Sequence, residues 1–149
     1  MDDPIVAAAQ LAFSIRLKGS SDVSDNTKNA QAIGKAWRGA VHELDPDRFQ
    51  IEVLVAPDLD QKIDVIDTET SRAYEFKVSG KNAAAEFYKD IVKIIIWNER
   101  RKKKLSSLVF ITEEVYGRLV LDAPMPRAYV KYLAQHGLAV DIEYVRHKD

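Results

Sequence analysis

The stretch KIDVIDTETSRAYEFKVS, residues 62–79, decides the fold. Apolar and polar side chains alternate on both sides of a polar centre, which predicts two β-strands joined by a turn at about residues 68–71. A two-residue loop at Glu69 and Thr70 would set the register of this hairpin. In that register, Asp64 on the first strand lies directly opposite Glu75 on the second.

The pleat of the strands divides the side chains of the hairpin between two faces. One face carries Asp64, Glu75 and Lys77. The other carries an apolar row that is expected to pack into the core: Ile63, Val65, Tyr74, Phe76 and Val78. Two carboxylates facing each other roughly 5 Å apart repel, so a cation between them is the natural resolution. Mg²⁺ or Mn²⁺ suits such oxygens and would also accept the backbone carbonyl of Phe76.

The rest of the chain predicts an α/β fold in which a mixed central sheet is flanked by helices. Helical periodicity is found at residues 4–17, 27–44, 83–101, 113–121 and 124–136. Strand patterns outside the hairpin are found at residues 49–55, 105–112 and 139–145. The predicted order of elements is therefore α-α-β-β-β-α-β-α-α-β.

Composition sets limits on the class of protein. The chain has 149 residues, with 22 Lys and Arg against 23 Asp and Glu, and it contains no cysteine. This excludes disulfides, thiol catalysis and cysteine-based metal sites, and the length fits one domain. An acidic start and no long apolar run predict a cytoplasmic protein that does not associate with membranes. Five contiguous basic residues at 100–104 concentrate positive charge in one segment. The net charge of -1 therefore does not exclude a polyanionic substrate.

The motif and its setting resemble the PD-(D/E)xK nuclease superfamily, which has a restriction-endonuclease-like fold. Asp64 on the second strand and Glu75-x-Lys77 on the third carry the resemblance, with a helix before them and a helix and strand after them. It covers residues 27–112, an αβββαβ core, and implies a single nuclease-like domain over 1–149. The additions to this core are an N-terminal helix and a C-terminal extension at residues 113–149.

The resemblance also implies a set of roles. Asp64 and Glu75 would bind Mg²⁺, with Mn²⁺ as a substitute, and Lys77 would assist the attacking water. An acidic residue on the helix before the first strand often joins the metal site of this family, and Glu43 is the matching residue. The literal Pro-Asp pair is Pro57-Asp58, which precedes the second strand, so Asp58 competes with Asp64 as the first ligand. The hairpin register favours Asp64.

Several residues are candidates for contacts with nucleic acid. Those just beyond the third strand, or on and after the following helix, are Ser79, Lys81, Asn82, Lys89, Arg100, Arg101, Lys102 and Lys103. The basic run would grip phosphates or, alternatively, would place cations at a helix C-terminus. For Glu86, Lys89 and Lys93, which share a helix face, ordinary solvated ion pairs are the simpler interpretation.

The predicted function is hydrolysis of phosphodiester bonds by a metal-dependent nuclease, a DNA endonuclease of restriction-enzyme type. Double-stranded DNA is the expected substrate, and cleavage of both strands favours a homodimer. The alternative is a non-catalytic module with the nuclease fold, which would bind nucleic acid or protein. A third interpretation makes the acidic face an exposed sheet surface with cross-strand charge pairs.

Overall fold

The computed structural model describes residues 3–17 and 27–147. Within these ranges, five helices and five strands follow one another in the predicted order. Their bounds are α1 Pro4–Leu17, α2 Thr27–Leu44, β1 Phe49–Leu54, β2 Lys62–Asp67, β3 Arg72–Lys77, α3 Ala83–Glu99, β4 Ser107–Glu113, α4 Glu114–Leu121, α5 Pro124–Gln135 and β5 Ala139–Val145. The α/β class is confirmed. None of the described helices has the length and apolar character that a membrane span requires.

One mixed sheet contains all five strands, in the order β1-β2-β3-β4-β5. The neighbours β1–β2 and β2–β3 are antiparallel, whereas β3–β4 and β4–β5 are parallel. Parallel neighbours need a crossover connection, which α3 provides after β3 and which α4 and α5 provide after β4. The strand β4 is buried along its whole length, as a strand with helices on both faces must be.

The predicted register of the β2–β3 hairpin is confirmed. Val65 pairs with Tyr74 and Asp67 pairs with Arg72, which is the predicted alignment, but the paired residues end at Val65 and Tyr74, before Asp64 and Glu75 are reached. The connection is four residues long, 68–71, rather than the expected two. It is longer because the Asp67 carboxylate accepts hydrogen bonds from the backbone N–H groups of Glu69 and Thr70, at 3.0 and 3.4 Å, which replaces strand pairing by a turn.

Two hydrophobic layers cover the two faces of the sheet. The first joins α1 and α2 to the sheet through residues such as Phe13, Trp37 and Val65. The second joins α3, α4 and α5 to the sheet through residues such as Phe87 and Phe110. Each helix therefore buries its apolar stripe against one sheet face, and α3 crosses the face that carries Glu75.

The apolar row of the hairpin is confirmed with one exception. Val65, Tyr74, Phe76 and Val78 pack in the first layer, but Ile63 packs in the second. The prediction for Ile63 is wrong because the regular alternation of side chains between the two sheet faces is interrupted beside it, in β1 and in the pairing of β2 with β3. In β1, Glu52 has a left-handed φ of 49°, and regular pairing of β2 with β3 ends at Val65. This interruption ends the regular backbone pairing between β2 and β3 beside Asp64.

Candidate active site

Asp64 and Glu75 meet where the hairpin ladder opens. The Asp64 backbone N–H donates to Glu75 Oε1 at 3.0 Å, and the Phe76 N–H donates to Asp64 Oδ2 at 3.0 Å. Two side chains thus take the place of backbone partners in an otherwise antiparallel pair. The structure brings the two predicted carboxylates together and fixes one oxygen of each.

A buried lysine from α3 completes this group. Lys93 Nζ lies 2.9 Å from Glu75 Oε1, 2.9 Å from Asp90 Oδ1 and 2.7 Å from the backbone oxygen of Lys62. Glu75 and Asp90 are each 4% exposed and Lys93 is 7% exposed. We call Asp64, Glu75, Asp90 and Lys93 the acidic cluster, since it holds three carboxylates against one ammonium.

The carboxylates of the acidic cluster are hard to ionise. Burial raises the pKa of Glu75 well above its usual value, and the nearby charges of Asp64 and Asp90 raise it further against the opposing effect of Lys93. Burial raises the pKa of Asp90 to about 6, again against the effect of Lys93. Burial also raises the pKa of Asp64, although the Phe76 N–H opposes the change. The cluster therefore contains more carboxyl groups than its one lysine can keep ionised.

Asp90 and Lys93 are site residues that the sequence reasoning missed. The interpretation of Lys93 as an ordinary solvated residue is wrong, because its stem and ammonium lie under the sheet. A signal was present: Asp90 falls on the same helical stripe as Phe87, Ile91 and Ile94, all of which are buried. An acid on an apolar stripe needs a buried partner, and Lys93 is the base one turn later.

Lys77 lies at the rim of the acidic cluster, at the end of β3. Its ammonium is 3.8 Å from Glu86 Oε1, and the Glu86 carboxylate also lies 4.0 Å from Lys89. About a third of the Lys77 side chain is exposed, and more than half of the Lys89 side chain. For Lys89 and Glu86, the expected solvated pair is observed. Among the described contacts, none joins Lys77 directly to Asp64 or Glu75.

A second base that the sequence reasoning missed is Arg38 on α2. Its Nη1 lies 4.0 Å from Asp64 Oδ1, and its Nη2 lies 3.8 Å from Glu52 Oε1. Helix α2 thus presents a guanidinium to Asp64. The acid expected from this helix was Glu43, which is exposed. No described hydrogen bond or ion pair connects Glu43 with Asp64 or Glu75.

Asp58 lies apart from the hairpin pair. It follows β1 in an exposed loop and forms an ion pair with Arg100. That hydrogen-bonded guanidinium lowers the pKa of the Asp58 carboxyl. Asp58 is therefore engaged at the far end of α3, and the geometry favours Asp64 as the partner of Glu75.

The basic run after α3 is largely anchored to the protein itself. Arg101 donates to the Val55 backbone oxygen at 2.8 Å and stacks over the Trp97 ring at 3.4 Å. Lys103 Nζ lies 3.4 Å from the Thr68 backbone oxygen. With Arg100 held by Asp58, only Lys102 of the four candidates points to no described partner. These contacts favour the local structural role over phosphate binding.

The turn between β3 and α3 carries the other candidates for contacts with substrate. The Lys81 N–H donates to Ser79 Oγ at 3.3 Å, and the Lys81 ammonium lies 5.7 Å from the Tyr116 ring centre. Asn82 is the residue before α3, but its side chain makes no capping hydrogen bond. All three follow Lys77 directly, so they lie on the same rim as that lysine.

The carboxylates of the acidic cluster are a candidate donor set for a divalent metal. Over residues 3–17 and 27–147, no group of three or more Asp, Glu or His side chains has the arrangement of a metal site. Mg²⁺ nevertheless keeps several waters and commonly uses only one or two protein carboxylates. Asp64 and Glu75 provide such a pair, each with one oxygen outside the backbone contacts described above. The chemistry of this pair therefore fits Mg²⁺ or Mn²⁺, which would hold Asp64 and Glu75 together.

Asp64 and Glu75 offer the carboxylate oxygens that a cation would need, and basic side chains from α2, β3 and α3 lie nearby. Asp64 and Glu75 supply negative charge, Lys77 and Arg38 supply positive charge at the rim, and Lys93 holds Glu75 from below. Such a constellation suits a reaction in which an anionic group is bound and attacked by water. No protein-family model, curated protein or solved structure matches this chain.

Proposed function

We propose that this protein is a metal-dependent nuclease that hydrolyses phosphodiester bonds in double-stranded DNA. The observation that carries the proposal is the pair of hydrogen bonds that joins Asp64 and Glu75 at the end of the hairpin, in a largely buried group with more carboxyl groups than lysines. Strongly perturbed carboxylates beside basic residues are typical of functional sites. The order of elements from α2 to β4 is also that of the restriction-endonuclease-like core, which supports the same proposal.

Two lysines lie near Glu75, and their contacts assign them different roles. The ammonium of Lys93 has three N–H donors and three acceptors within hydrogen-bond distance, so no donor remains for water. Lys77 has only a long ion pair with Glu86 and is partly exposed. We therefore assign the orientation of the attacking water to Lys77 and the orientation of Glu75 to Lys93.

In the proposed reaction, the protein groups bind and position. A bound Mg²⁺ or Mn²⁺ would supply a water with a lowered pKa and would offset charge on the phosphate oxygens. Asp64 and Glu75 would hold the cation, while Asp90 and Lys93 fix the Glu75 carboxylate at its place on β3. Lys77 directs the water toward phosphorus, and the exclusion of solvent by α3 strengthens these charge interactions.

Nicking of supercoiled plasmid in Mg²⁺ or Mn²⁺ tests the proposal. Glu75→Ala and Lys77→Ala should each abolish nicking, because each removes a group that acts on the cation or the water. Glu69→Ala and Lys131→Ala are matched controls, since both residues are exposed and lie away from the cluster. Circular dichroism confirms folding of each variant. Unchanged nicking in both site variants would refute the assignment.

A non-catalytic module with the same fold is the second candidate. The observation in its favour is that Lys93 already places a cation against Glu75 and Asp90. This candidate predicts that Mg²⁺ and Mn²⁺ neither raise the melting temperature nor support cleavage.

The nuclease proposal includes a homodimer, because cleavage of both strands would need two sites. Sedimentation of the protein with and without duplex DNA measures that state.

A further inference from the structure

Arg38 is held beside the acidic cluster by two long ion pairs. Its Nη1 and Nη2 lie 4.0 Å from Asp64 Oδ1 and 3.8 Å from Glu52 Oε1. Both distances exceed that of a normal charge-assisted hydrogen bond, about 2.7–2.9 Å. Among the contacts of the described residues, none gives the Arg38 guanidinium a shorter partner. Among the described contacts, none therefore gives its N–H donors an acceptor within hydrogen-bond distance, although only 22% of the side chain is exposed.

The chain makes room for this guanidinium at two positions. Gly34 lies one turn earlier on α2, and a side-chain carbon there would come within 3.3 Å of Arg38 Nη1. Glu52 adopts a left-handed φ of 49° inside a β-strand, a conformation that is uncommon for a residue with a side chain. Its carboxylate is the second partner of Arg38. Backbone strain of this kind is found preferentially at functional sites.

Arg48 in the same protein has a structural role, and its hydrogen bonds can be compared with the contacts of Arg38. It binds the two oxygens of Asp67 through Nε and Nη2, each at 2.9 Å, so its fork is fully used. Arg38 has the same planar fork but no bidentate partner. A phosphate group presents the oxygen geometry that such a fork fits best.

We infer that Arg38 binds a non-bridging phosphate oxygen of the DNA backbone at the acidic cluster. This inference rests on the proposed function, since it names the residue that receives the phosphate at that site. Asp64 and Glu52 hold the guanidinium in place before substrate arrives, and the long distances allow it to rotate onto a phosphate without breaking a short hydrogen bond. The alternative is that Arg38 only neutralises Asp64.

Salt-dependent binding separates these two roles. Labelled duplex fragments of the plasmid are titrated with protein in Ca²⁺ buffer between about 50 and 200 mM KCl, and fluorescence anisotropy gives the affinity at each salt concentration. Loss of one phosphate contact should reduce the slope of log affinity against log salt by about 0.9. For Arg38→Ala we expect that reduction, together with an affinity about 10- to 100-fold lower.

Two further variants serve as controls. Arg38→Lys keeps a positive charge but loses the fork, so it should retain the slope while nicking falls by about 10-fold. Lys35→Ala removes the same charge from an exposed residue one turn earlier on α2 and should leave both the slope and nicking unchanged. Because Arg38→Lys retains a cation beside Asp64, it keeps the test valid if Arg38→Ala does not fold.

The outcomes for Arg38 and for the nuclease proposal are distinguishable. A wild-type slope in Arg38→Ala, or no wild-type binding to the duplex, overturns the assignment of Arg38. If the wild type nicks plasmid in that case, the nuclease proposal survives. Conversely, a reduced slope in Arg38→Ala without any wild-type nicking in Mg²⁺ or Mn²⁺ supports Arg38 as a phosphate-binding residue and refutes the nuclease.

Discussion

The two ends of one β-hairpin bury acids in opposite ways. At the turn, Asp67 is almost fully buried, yet four donors satisfy it: Nε and Nη2 of Arg48 and the N–H groups of Glu69 and Thr70. Burial opposes ionisation of Asp67, but the hydrogen bonds from Arg48, Thr70 and Glu69 outweigh it, so the pKa of Asp67 is lowered.

At the open end of the same strand, the acidic cluster has three carboxylates and one ammonium. Here burial and like charges prevail, and the pKa values of Asp64, Glu75 and Asp90 are raised. The comparison shows that burial of an acid does not by itself indicate a functional site. The relevant property is a buried carboxyl group for which the protein provides too few hydrogen-bond donors or cations, because a ligand can supply the missing partners.

Replacement of Asp67 should have the largest effect on stability. Asp67→Ala leaves the two turn N–H groups and the Arg48 fork without acceptors, so we expect the free energy of unfolding to fall by about 2–4 kcal/mol. Asp64→Asn keeps the shape of the side chain and removes a repulsive charge, so its loss should stay below about 1 kcal/mol. Urea denaturation measures both values. Equal losses would remove the distinction between the two ends of the hairpin.

Addition of Mg²⁺ should stabilise the protein through the acidic cluster and not through Asp67. A ligand that binds the folded state at 10 to 100 times its dissociation constant adds about 1.4 to 2.7 kcal/mol to the free energy of unfolding. We therefore expect a higher melting temperature in Mg²⁺ than in EDTA for the wild type and for Asp67→Asn. Glu75→Gln should show no such shift. A shift that persists in Glu75→Gln would place the cation elsewhere.

The two ends should also respond to pH with opposite signs. Folded Asp90 binds its proton more tightly than unfolded Asp90, so its contribution to stability rises as the pH falls from 7 through about 6 toward the unfolded value near 3.8. The lowered pKa of Asp67 gives the reverse: its stabilisation is present above that unfolded value and is lost below it.

In EDTA, the melting temperature of the wild type should rise by roughly 3 °C or more between pH 7.5 and 5.5. Asp90→Asn should reduce this rise but not abolish it, since Asp64 and Glu75 also have raised pKa values, while Asp67→Asn should keep it in full. A rise of the same size in Asp90→Asn would show that Asp90 does not titrate in this range.

The smallest effects are expected in the basic run after α3. Arg101→Ala loses the stack on Trp97 and the hydrogen bond to Val55, which together stabilise the fold by about 1 kcal/mol. Lys102→Ala should change the free energy of unfolding by less than about 0.5 kcal/mol. Neither variant should reduce the salt dependence of DNA binding. A reduced slope in Arg101→Ala would restore the phosphate-binding role of the run.

The parts of the fold that follow from local patterns could be predicted from the sequence. Period-2 alternation and the turn residues set the register of the paired part of the hairpin and predicted Asp64 near Glu75, but the break in pairing beyond Val65 was not visible in residues 62–79. The same holds for the order of helices and strands, because each element carries its own apolar stripe. The length of the turn was missed, since the Asp67 side chain competes with strand pairing there.

The partners of the candidate site depend on packing and could not be predicted in the same way. Lys93 reaches Glu75 only because α3 lies across β3, and Arg38 reaches Asp64 only because α2 packs near the interruption in β1. A charged residue on an amphipathic helix is solvated in most cases, so its type and spacing do not reveal the exception. The anchoring of Arg100 and Arg101 by Asp58 and Val55 is equally non-local.

Glu52, the residue of β1 with a left-handed backbone conformation, also affects how the edge of the sheet can pair with other molecules. β1 and β5 are the two edges of the sheet, and an exposed edge can pair with a strand of another molecule. Glu52 bends one edge out of regular pairing geometry, and Asp141 and Glu143 place exposed acids on the other. Both edges therefore resist aggregation by strand addition. We therefore expect a second copy of this chain to associate through helices or loops rather than by extending the sheet.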